Sequence, residues 1–99
     1  MFDSKKLMDA MKQAMEMQQQ MQQDLGAKTV QGAALAGMVT VDMNGQFEVG
    51  KITIDPTLIA ENDLDFVQEM IRAAVNDAVT QAKSIVADQM KSVTGKLGF

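Results

Sequence analysis

Residues 37–56, GMVTVDMNGQFEVGKITIDP, restrict this chain more than any other stretch. They read as two strand-like runs joined at Asn44-Gly45 and closed by Asp55-Pro56. Val39, Val41 and Met43 alternate with Thr40 and Asp42, the period of a half-buried strand. Asn-Gly predicts a two-residue type I′ hairpin turn, which needs positive φ at both central residues. In the second run Phe47 and Val49 occupy odd positions, while Ile52 and Ile54 occupy even ones. That parity switch predicts a β-bulge at Gly50, with all four side chains turned toward the core. A further short strand, about Lys28–Gln31, precedes a small-residue stretch, Gly32–Gly37, expected to be a mobile loop. The sum is a three-stranded antiparallel sheet between two helix-like segments.

The N-terminal segment, about Lys5 to Leu25, places Leu7, Met8, Ala10, Met11, Ala14, Met15, Met17, Met21 and Leu25 on about half of a helical wheel. Asp3 or Ser4 can cap its start and Gly26 its end. Six of the chain's ten methionines fall in residues 1–21, a pattern suited to a core face, a dimer face or an adaptable binding groove. After the sheet, Asp55-Pro56 predicts an N-cap and one helical turn through Ile59. Asn62 is expected to cap a long helix, about Asp63–Thr94, ended by Gly95. Its stripe is Val67, Ile71, Ala74, Val75, Ala78, Ala82, Ile85, Val86 and Val93. Such a helix spans roughly 45 Å, and a nine-residue strand only about 30 Å. It should overrun the sheet and find the first helix or a second subunit beyond it.

Composition removes most chemistry. With no histidine, cysteine, tyrosine or tryptophan, the common general base, the common metal ligand and the His-activated nucleophiles are missing. Asp63 and Asp65 fit a helix start, where carboxylates complement the dipole. Gly32 and Gly37 have P-loop spacing, but no Lys-Ser/Thr follows the second. The chain therefore reads as non-enzymatic, with no cofactor and no small-molecule substrate. It has no apolar run near the ~20 residues of a membrane span and no apolar signal region at its start, and the absence of cysteine fits a cytoplasmic location. At 99 residues it reads as one domain, 1–99, with a modest core.

The net charge of −4 is unevenly spread. Residues 61–77 hold Glu61, Asp63, Asp65, Glu69 and Asp77 against Arg72. Lys83, Lys91 and Lys96 stand against Asp88 in the last segment, and Lys5, Lys6 and Lys12 against Asp3 and Asp9 in the first. If the helices pair antiparallel, these six lysines share a mildly basic tip, away from an acidic body.

Taken together, MKQAMEMQQQMQQ (residues 11–23), the G-x-V-x-V-x-x-N-G run from Gly37 to Gly45, Ile54-Asp55-Pro56 with Leu58, Ala74-Val75-Asn76-Asp77-Ala78, and Met90-x-x-Val93-Thr94-Gly95 resemble the YbaB/EbfC family of bacterial nucleoid-associated proteins. The resemblance covers nearly the whole chain and rests on order and spacing. It implies an α+β fold, a three-stranded antiparallel sheet flanked by an N-terminal helix and a long C-terminal helix. It also implies a tweezer-like homodimer that binds DNA in the cytoplasmic nucleoid with little sequence specificity. The residues expected to carry that binding are Lys5, Lys6, Lys12, Lys83, Lys91 and Lys96. The Asn76-Asp77 pair is expected to bond nearby backbone, since Asp77 would repel phosphate. The alternative is a protein-interaction module that works through the Met-rich first helix, with weak DNA binding or none.

Overall fold

Asp3 starts the first helix. Its carboxylate accepts the Lys5 N–H at 3.0 Å, and α1 then runs Ser4–Ala27 through Met, Gln, Ala and Leu, all strong helix formers. The computed structural model describes residues 3–96, and side chains as far as Ser92. The far end of α1 is held by the hairpin. The Gly45 N–H donates to the carbonyls of Leu25 (2.8 Å) and Lys28 (3.1 Å), and Gln46 Nε2 donates to the Gln22 carbonyl at 2.6 Å. These bonds take up carbonyls a helix terminus otherwise leaves unpaired. No residue of α1 is buried.

The sheet is β1 (Thr29–Ala34), β2 (Val39–Asn44) and β3 (Val49–Ile54), antiparallel, in the order β1-β2-β3. The bulge lies where the parity switch puts it: Asp42 pairs with Lys51 and Met43 with Val49, leaving Gly50 unpaired. The two turns differ from expectation. Asn44 and Gly45 do not adopt positive φ. Phe47 does, at 64°, and its N–H donates to the Asn44 carbonyl. The loop is thus a three-residue turn closed by the Asn44–Glu48 pair, with Asn44 Oδ1 accepting the N–H groups of Gln46 and Glu48. Glycine is needed at 45 for another reason. A Cβ there would lie 2.7 Å from the Leu25 carbonyl oxygen. The left-handed turn is instead at Leu35 (φ 53°), Ala36 (54°) and Gly37 (88°). β1 is longer than the expected 28–31, and Gly32 lies inside it, buried, rather than in a loop.

Asp55 caps α2 (Pro56–Glu61), which runs two residues past the expected turn, and α3 spans Leu64–Lys96. The cap of α3 is Asp63 and not Asn62. Asp63 Oδ1 accepts the Phe66 N–H at 2.8 Å, while Asn62 Nδ2 donates to the Leu58 carbonyl. The core is Val39, Val41 and Met43 from β2, Leu58 from α2, and Val67, Ala74, Ala78 and Ala82 from α3. The alanines bring α3 close to β1, and Gly32 completes that approach. A Cβ on Gly32 would stand 2.2 Å from the Ala74 carbonyl oxygen and 2.4 Å from the Ala78 nitrogen.

α3 covers β1 and β2 and stops short of β3. Pairing puts Val49, Ile52 and Ile54 on the same face as Met43, Val41 and Val39. Only Ile54 packs against the core, while Val49 and Ile52 are each 46% exposed and Phe47 sits exposed on its turn. The expectation that all four face a covered core therefore fails at Phe47, Val49 and Ile52, because the helix axis lies over the other two strands. The molecule is elongated, 73 × 22 × 17 Å, with a radius of gyration of 19.8 Å. A compact chain of this length would have about 13 Å.

Candidate nucleic-acid interface

Lys5, Lys6 and Lys12 lie on α1, exposed, on the side of the wheel that also carries Asp9 and Glu16. Lys83 and Lys91 lie on α3, exposed and turned away from its alanine face. None of these five amines makes an ion pair or hydrogen bond among the described residues. The Lys96 side chain lies outside the described residues.

The lysines do not gather at one tip in the chain. Lys28 Nζ donates to Gln89 Oε1 at 2.8 Å, which puts α3's Gln89 beside the α1–β1 junction. Only the last two turns of α3 pass that point. Lys12 stands roughly 22 Å up α1 from it and Lys5 about 33 Å, at 1.5 Å per residue. The basic groups are therefore two: Lys5, Lys6 and Lys12 on a free arm, and Lys83 and Lys91 on the outer face of α3, where it reaches and passes the end of the sheet. Lys28 joins the second group. Sequence reasoning passed over it, because only the packing of α3 across β1 brings residues 28 and 89 together.

Several acidic groups have structural work. Asp77 Oδ2 accepts the Ala33 N–H at 2.9 Å, and Gln81 Nε2 donates to the Gln31 carbonyl at 2.8 Å and to Asp77 Oδ2 at 3.2 Å. Two side chains of α3 thus occupy outward-facing backbone groups of β1 and close that edge against a further strand. Asp77 does bond backbone, as its place in mid-helix suggested. Arg72 pairs with Glu69 one turn earlier. A shallow open hollow of about 280 Å³ lies beside the bulge, but its carboxylates are engaged: Asp42 accepts from Gln31 Nε2, and Glu48 from Asn44 Nδ2. Such a site repels phosphate. Among the described residues no group of three or more carboxylates is placed to hold a metal ion.

An α+β protein of helix–sheet–helix order, with exposed lysines along its two long helices, is the class that this fold and this charge layout define. The solved structure titled uncharacterized protein HP0035, from Helicobacter pylori, shares the fold with a TM-score of 0.77 and 19% identity, covering 95% of this chain and 99% of that one. The chain belongs to the YbaB/EbfC DNA-binding family, whose profile matches residues 3–97. A nucleoid-associated protein of Chloroflexus aggregans is 36% identical over 95 residues, covering 96% of this chain and 95% of its own. One from Pelotomaculum thermopropionicum is 40% identical over 90 residues, covering 88% and 86%. The family is one of DNA-binding proteins and not of enzymes.

Proposed function

We propose that this protein is a nucleoid-associated DNA-binding protein that acts as a homodimer and holds duplex DNA through lysine–phosphate contacts with little sequence preference. The observation that carries the reading is the set of unpaired, exposed lysines on the two long helices of a chain from a DNA-binding family. With one arginine and no tyrosine or tryptophan, bidentate guanine reading and aromatic base stacking have few carriers. Lysine contacts to phosphate position a protein without specifying sequence. A bacterial nucleoid is the matching location, and no helix among the described residues is long and apolar enough to cross a membrane.

The dimer is supported by what the chain leaves uncovered. Val49 and Ile52 extend the apolar face of the sheet past α3, and Ile59, Leu64 and Phe66 are exposed on α2 and the start of α3. Asp77 and Gln81 close the β1 edge, so β3 is the edge open to a second copy. A stable interface there buries more than about 1,000 Å² in total. Two copies double the lysines of each group and set two arms around one duplex.

Mobility-shift titration against salt tests the proposal. Neutralising about four to six phosphates gives a slope of log K on log salt of roughly −4 to −5, with micromolar or weaker dissociation at physiological salt. Replacing Lys5, Lys6 and Lys12, or Lys83, Lys91 and Lys96, by glutamine should weaken binding to all sequences alike and flatten the slope. Equal binding by both triple variants and the parent at low salt overturns the lysine assignment. A parent that fails to bind at low salt favours the second reading, a protein-interaction module. The observation behind that reading is the exposed apolar run Leu7, Met8, Met11, Met15 on α1.

A further inference from the structure

We propose that α1 is a methionine-oxidation site, and that converting Met8, Met11, Met15 and Met17 to sulfoxides with a peroxide-class oxidant melts the outer half of the helix. All four side chains are 55–68% exposed, whereas Met43 in the sheet is 3% exposed. Thioether oxidation follows accessibility, so one chain holds both the targets and an internal control. In each reaction the sulfur lone pair attacks one peroxide oxygen. An S–O bond forms as the O–O bond breaks, sulfur gives up two electrons, and the departing hydroxide takes the proton of the transferred hydroxyl and leaves as water.

The structural consequence follows from how α1 is held. It buries no residue, and among the described residues its hydrogen bonds to the body come from its last turns, through the Leu25 and Gln22 carbonyls. From Ser4 to about Met17 the helix stands on local interactions. Met11 lies four residues after Leu7 and four before Met15, and Met17 lies four before Met21. These are the apolar pairs that steady an exposed helix. A sulfoxide makes each flexible apolar chain polar and removes those pairs. Melting then spreads from the free end, since a short outer segment without them is marginal in water. Lys5, Lys6 and Lys12 lie on that segment, so oxidation would also scatter the arm's cations. That last consequence alone rests on the proposed function.

The test treats the full-length protein with hydrogen peroxide and follows it by peptide mass mapping and far-UV circular dichroism. Met8, Met11, Met15 and Met17 should oxidise roughly tenfold faster than Met43. The helical signal should fall by about a fifth, the share of a dozen residues of α1, and return after treatment with methionine sulfoxide reductase. A variant with Met8→Leu, Met11→Leu, Met15→Leu and Met17→Leu should keep its helical signal under the same treatment. Protection of the four methionines to the level of Met43, or their oxidation with an unchanged helical signal, overturns the proposal. Melting without any change in DNA retention supports the oxidation site and counts against the arm lysines as DNA contacts.

Discussion

Replacing Gly32 by alanine should be among the most damaging single-methyl changes in this chain. The added Cβ would meet the Ala74 carbonyl oxygen at 2.2 Å, the Ala78 nitrogen at 2.4 Å and the Ala78 Cβ at 2.7 Å. Two of these are backbone atoms and the third is a Cβ, so no side-chain rotation gives relief. To restore ordinary contact α3 must retreat from β1 by about 1 Å. That retreat opens the packing of Ala74 and Ala78. It also stretches the bond from the Ala33 N–H to Asp77, now 2.9 Å, and the one from Gln81 to the Gln31 carbonyl, now 2.8 Å. Overpacking a core costs about 1–3 kcal/mol, and two weakened hydrogen bonds add about 1 kcal/mol each. The expected loss is about 3–5 kcal/mol, a large part of the 5–15 kcal/mol typical of a small domain. For this size Tm should fall by about 15–30 °C. Urea titration followed by circular dichroism, at one fixed protein concentration, measures the change. Gly50→Ala is the matched control: its Cβ would have the Asp42 carbonyl oxygen at 3.9 Å and nothing nearer, and Gly50 does not need positive φ. If Gly32→Ala unfolds within about 1 kcal/mol of Gly50→Ala, the close helix–strand contact does not limit this fold.

If the protein is the proposed homodimer, Ile52→Glu should halve the mass measured by sedimentation equilibrium at micromolar concentration while circular dichroism stays unchanged, since Ile52 lies outside the α3-covered core; a dimeric parent with an unchanged variant mass overturns the placing of the contact at Ile52. Leu35→Asn with Ala36→Gly should raise stability by about 1 kcal/mol in urea titration, because two residues at φ 53° and 54° are relieved and the added glycine entropy takes back part of the gain. No gain would mean that the turn costs little where it stands. The Asp55 carboxyl sits below its ordinary 3.8, held down first by the Thr57 N–H and then by the Thr57 hydroxyl. The folded state thus favours the ionised form, and the stability this cap contributes is complete above 3.8 and fades as pH falls through the depressed value. Parent and Asp55→Ala should therefore differ in thermal midpoint at neutral pH and converge in strong acid; a gap that widens with acid contradicts the cap.

Local periodicity carried much of the fold. Val39, Val41 and Met43 alternate in the sequence and are the buried face of β2. The parity switch located the bulge at Gly50, and the stripe through Val67, Ala74, Ala78 and Ala82 is the buried line of α3. Each of these follows from a side-chain period set by backbone geometry, so neighbours in sequence suffice to reveal it. The capping carboxylates of Asp3 and Asp55 were equally local.

Tertiary structure decided the rest, because those features depend on residues far apart in sequence. Gly45 looked like a turn glycine until the Leu25 carbonyl came to lie against it, and Gly32 looked like a loop glycine until α3 pressed on it. Whether Val49 and Ile52 are covered depends on where α3 crosses the sheet, and no period encodes a helix's lateral position. The lysines show the same division. Their helices and exposure could be read from sequence. Their separation into an outer arm group and a group beside the sheet follows from the Lys28–Gln89 contact, which spans 61 residues of chain. A residue's period follows from its own backbone, whereas its neighbours across space are set only when the whole chain packs.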